Sequence, residues 1–119
     1  MKKVLWIATV MLLSACAEKK PLTPAEQWHG YCVSVGHAAR SIALDRQNGI
    51  DQKQATEHAS KVEDEMTRQF IFKILENVYA LPVEQLKGDP DAIREKLKQQ
   101  FMQQCLATPH DKMPKYKSF

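Results

Sequence analysis

Only four glycines and six prolines punctuate this 119-residue chain, and the prolines from Pro24 onward, with Gly49 and Gly88, fall where helices start and stop, which leaves little room for any other kind of secondary structure. Thr23-Pro24-Ala25-Glu26 combines a Thr N-cap, a Pro at the first helical position and a Glu at N3, the pattern of a capping box. A first helix is predicted to begin there. Its apolar residues Trp28, Tyr31, Cys32, Val35, Ala39 and Ile42 recur at intervals of three and four, so they share one helix face. Asn48-Gly49 ends it, with Gly suited to the left-handed conformation past a helix and Ile50 placed to pack back on the last turn.

Asp51 reads as the next N-cap, with Gln54 at N3. No Gly or Pro occurs from Gln52 to Leu81, so one helix of about 45 Å is conceivable at 1.5 Å per residue. A second capping box at Ser60-Lys61-Val62-Glu63 favours a break instead, giving a short polar helix over 52–59 and a core helix over 61–80. The core helix carries Met66, Phe70, Ile71, Ile74, Leu75 and Val78 and cannot pass Pro82. Lys87-Gly88-Asp89-Pro90 reads as a turn, an N-cap and a Pro start, opening a last helix over 90–106 with Ile93, Leu97, Phe101 and Cys105 on one stripe.

Ahead of the helices, Lys2 and Lys3 precede an apolar run that closes on Leu13-Ser14-Ala15-Cys16, a layout that resembles the lipobox signal of bacterial lipoproteins. The apolar stretch is too short to span a bilayer, which takes about 20 residues. The resemblance implies that Cys16 is lipidated and becomes the first mature residue. It also carries a sorting rule, by which Ala17, rather than Asp, after the lipidated cysteine directs the protein to the outer membrane, facing the periplasm. The chain is thus expected to divide into a signal peptide (1–15), a lipidated cysteine with its tether (16–23), a helical domain (24–107) and a flexible basic tail (108–119).

Cleavage would remove Lys2 and Lys3, leaving 15 of the 17 basic residues against 14 acidic ones. A mature domain of about a hundred near-neutral residues has one modest core and no electrostatic case for nucleic acid. With Cys16 lipidated in an oxidising compartment, Cys32 and Cys105 remain as an even pair, for which a disulfide is the default. Cys32 lies near the start of the first helix and Cys105 near the end of the last, both on apolar faces. Antiparallel packing of those two helices would bring them together. The expected fold is all-α, a small antiparallel helical bundle of three to four helices closed by one disulfide.

Catalytic signatures are missing from the sequence. Glu57-His58 matches the second half of an H-x-x-E-H motif, but Gln54 occupies the position of its first ligand. His29 and His37 lie eight apart, about 80° around the helix, and His110 sits in the tail without a companion cluster. Ser34 and Ser41 lack a glycine-rich elbow. No metal, cofactor or catalytic residue is expected, and Glu63-Asp64-Glu65 is accounted for by the helix dipole.

The stretch from Ala39 to Ile50, the Val78-Tyr79 end before Pro82 and the late Cys105 together resemble the small, exported, cysteine-paired helical proteins of proteobacteria. That resemblance brings no catalytic residue. Two features suit contact surfaces. Phe72 and Tyr79 lie seven apart beside the core stripe, and the tail sets Lys112, Lys115 and Lys117 around Tyr116 ahead of Phe119, a composition suited to an anionic envelope surface. The expectation is a non-catalytic binding or accessory module, held to the membrane by the lipid on Cys16, with a protein partner in the cell envelope. A periplasmic stress holdase and a toxin-immunity or entry-exclusion lipoprotein are the alternatives.

Overall fold

The computed structural model describes residues 21–111, 113 and 114; residues 1–20, on which the expected signal peptide, Cys16 and Ala17 fall, Lys112 and residues 115–119, with Tyr116, lie outside the described residues. Five helices form: α1 (Pro24–Gln47), α2 (Gln52–Ala59), α3 (Glu65–Ala80), α4 (Val83–Gly88) and α5 (Pro90–Leu106). Among the described residues the fold is all-α, and no helix is long and apolar enough to cross a membrane.

The helix ends follow the cap chemistry. Thr23 and Glu26 close a reciprocal capping box at the start of α1. At its other end Gly49 takes φ +88°, and the amides of Gly49 and Ile50 donate to Arg46 and Asp45, the paired bonds of a Schellman motif. Asp51 caps α2 through the Gln54 amide at 2.7 Å, and Asp89 caps α5 through Ala92 at 3.1 Å.

Helices α1 and α5 form the main pairing. The Cys32–Cys105 disulfide joins the start of α1 to the end of α5, with Cα atoms 5.4 Å apart. At the opposite end Arg94 donates to the Gln47 side-chain carbonyl at 2.7 Å, so the two helices run in opposite directions. The Gln47 amide in turn donates to the carbonyls of Leu86 and Pro90, holding the α4–α5 junction. Between these fixed ends, Gly36 lets the backbones approach: a Cβ there would stand 2.9 Å from the Lys98 carbonyl. The core gathers Trp28, Tyr31, Val35, Ala39 and Ala43 of α1, Phe70, Ile74 and Val78 of α3, and Leu97 and Phe101 of α5.

Three features depart from the sequence reading. Helix α3 starts at Glu65 rather than residue 61, with Asp64 as its cap; Ser60 instead closes α2, its hydroxyl donating to the Glu57 carbonyl. The reason is long-range. Buried Thr67 donates its hydroxyl to Asp64 at 2.7 Å and accepts the Tyr31 hydroxyl at 2.8 Å, so α1 selects the Asp64 cap. Second, Val83–Gly88 forms a helix, α4, which buries Leu86 and raises the count among the described residues beyond the expected three to four. Third, the start of the tail docks: the His110 ring stacks on Trp28 at 3.7 Å, and Met113 packs against the core.

Candidate functional site

Helix α2 packs on α3 and diverges from α1 after the Gly49 turn, which opens a cleft of about 450 Å³ between α1 and α2. The volume lies in the range of small-molecule sites, about 300–1,000 Å³. Ile71 and Leu75 of α3 belong to its apolar lining, together with Ala38 and Ile42 of α1, Ala55 and Ala59 of α2, and Ile50 and Val62 at the two ends of α2.

Both lips are polar. His37, Ser41 and Asp45 follow one another at intervals of four along α1, and Gln54 and His58 do the same on α2, so each set shares a helix face. All five side chains are exposed, and none makes a hydrogen bond or ion pair with another described residue. The contrast with neighbouring residues is informative. Arg46 donates to the Val78 carbonyl at the end of α3 and lies over the Tyr79 ring, 5.4 Å from its centroid, while Gln47 is bonded on three sides. The fold uses Arg46 and Gln47 and leaves the cleft residues unoccupied.

The hinge of the cleft is fixed from below. The Tyr79 hydroxyl donates to the Ile50 carbonyl at 2.7 Å, tying the α1–α2 turn to α3. Burial and, after it, the Asp45 carboxylate push the Tyr79 phenol above its usual 10.0, with Arg46 acting in the other direction.

The sequence-predicted residues are placed as follows. Cys32 and Cys105 are fully buried and bonded to each other. Phe72 and Tyr79 are both half-buried, Phe72 against the Ala59–Ile71–Leu75 cluster and Tyr79 against both clusters of the core. They flank the α2–α3 seam, and neither lines the cleft. Cys16 lies outside the described residues. Among the described residues no group of three or more His, Cys, Asp or Glu side chains could hold a metal ion.

Sequence reading set aside His37 as a histidine without a ligand cluster, Ser41 as a serine without a glycine-rich elbow and His58 as part of an incomplete metal motif, and the cleft makes them lips of one site. Their spacing of four on each helix was visible, but the divergence of α2 that sets them facing was not. No family model, curated protein or solved structure matches the chain.

Proposed function

We propose that this protein is an outer-membrane-anchored, periplasm-facing lipoprotein whose small antiparallel helical bundle acts as a non-catalytic binding module of an envelope system. The anchor rests on Leu13-Ser14-Ala15-Cys16 and on Ala17 after it. The binding role rests on one observation above all, an apolar-lined cleft whose five polar lip side chains make no hydrogen bond or ion pair with another described residue. Polar side chains that fix no structure of their own around an apolar recess are suited to orienting something that enters it. The half-buried Phe72 and Tyr79 remain the candidate surface for a protein partner beside that recess.

Photo-cross-linking in intact cells tests the binding role. A photoreactive residue at His37 or His58 should form an adduct, whereas one at exposed Gln99 of α5 should not, and Ala55→Trp, which fills the cleft, should abolish the adduct. Adducts from Gln99 alone would overturn the reading. For the anchor, Cys16→Ser should eliminate fatty-acid labelling and outer-membrane fractionation, and retention of both would refute it.

A further inference from the structure

The cleft's electrostatics narrow what it binds. Besides the imidazoles of His37 and His58, Asp45 is the one ionisable side chain in its lining. The cation adjacent to it in sequence is Arg46. Its guanidinium serves the Val78 carbonyl and the Tyr79 ring, and Asp45 makes no ion pair with another described residue. Asp51, the other carboxylate that bears on Tyr79, is committed to the Gln54 amide as the cap of α2. The hinge end of the cleft thus carries a carboxylate with no ion-pair partner among the described residues.

The acceptors around it have a definite pattern. Ser41 lies one helical turn before Asp45 on the same lip, and the Gln54 side-chain amide stands on the opposite lip. A carboxylate, a hydroxyl and an amide carbonyl are together the complement of a primary ammonium, which has three donors and no acceptor. Beyond them the lining turns apolar at Ile42, Ala55, Ile71 and Leu75.

Building on the binding role proposed above, we infer that the cleft takes a small amphiphile made of a short apolar body and a protonated amine, with the ammonium at Asp45 and the apolar body over Ile71 and Leu75. Three probes separate the contributions: octylamine and 1-octanol, which share an eight-carbon chain and differ only in the head group, and octanoate, which carries a carboxylate on a chain one methylene shorter. The protein for the measurement is the full chain carrying Cys16→Ser with the Cys32–Cys105 bridge intact, so that no attached acyl chain competes.

Titrations followed by the methyl NMR signals of Ile71 and Leu75 should give a dissociation constant for octylamine up to about five-fold below that of octanol, the scale of an exposed ion pair, with octanoate weakest. Asp45→Asn, a surface change that removes no contact of the fold, should bring octylamine to the octanol value. If octanoate binds as tightly as octylamine, or Asp45→Asn leaves the order unchanged while the methyl signals still saturate, the amine is the wrong head group and the cleft remains a binding site. If none of the three probes gives a saturable shift at Ile71 and Leu75, the small amphiphile itself is wrong, and cross-linking at His37 and His58 then reports independently on the broader binding role.

Discussion

Two glycines of α1 make opposite predictions from the same helix. A Cβ at Gly36 would meet the Lys98 backbone carbonyl at 2.9 Å and the Met102 Cβ at 3.2 Å, whereas one at Gly30 would meet nothing within 4 Å. Alanine improves helix propensity by about 1 kcal/mol at either site. At Gly30 that gain stands alone, so Gly30→Ala should raise the urea midpoint. At Gly36 two helix backbones must move apart, an overpacking cost of about 1–3 kcal/mol, and Gly36→Ala should lower it. The buried Tyr31–Thr67–Asp64 chain is a second residue-scale test. Thr67→Val keeps the shape but removes the hydroxyl that accepts from Tyr31 and donates to Asp64, at an expected cost of about 1–3 kcal/mol. Tyr31→Phe leaves the Thr67–Asp64 bond in place and should cost less. Equal losses in equilibrium unfolding would refute this order.

At the scale of elements, α1 supplies what α3 lacks. The last turn of α3 holds no basic residue of its own, and Arg46 delivers a cation to its exposed carbonyl end, the favourable side of the helix dipole. Tyr79 completes the joint by donating to Ile50. Because the folded phenol titrates above the usual 10.0, its stabilising contribution is complete below that value and is lost as pH rises through the folded one. Unfolding free energy should therefore decline above about pH 10, and Tyr79→Phe should flatten that decline relative to the parent; an unchanged alkaline slope would show that another group governs it. Most helix limits were legible because Thr23, Gly49, Asp51, Asp89 and Pro90 act on their own neighbours. The start of α3 was not, since Ser60 and Asp64 offer competing caps and the choice rests with Tyr31, 36 residues before Thr67. The short α4 was concealed by its length and by Pro82, which sequence reading takes as a stop although it here serves as the cap of a new helix. The cleft was invisible for a related reason: exposed His, Ser, Asp and Gln residues look like an ordinary solvated face until the angle of α2 is known.

For the whole molecule the Cys32–Cys105 bridge is the largest single constraint. It spans 73 residues, for which loop-closure entropy gives about 4 kcal/mol, a large share of the net stability of a domain this small. Replacing both cysteines with serine should accordingly cause a much larger loss than any surface substitution in the cleft, measured by thermal or urea unfolding; a change below about 1 kcal/mol would show that the α1–α5 contacts suffice. The bridge also settles the geometry of entry and exit. The chain enters α1 and leaves α5 at the same pole, where His110 rests on Trp28, while the cleft opens along the half of α1 that ends in Asn48 and Gly49. Joining the two ends of the helical region with a short flexible linker and reopening the chain in the exposed loop at Lys61 would therefore give a circular permutant with the helix packing preserved. Fluorophores or affinity tags joined directly before Pro24 or after Leu106 would start from the pole opposite the Gly49 turn, away from the recess.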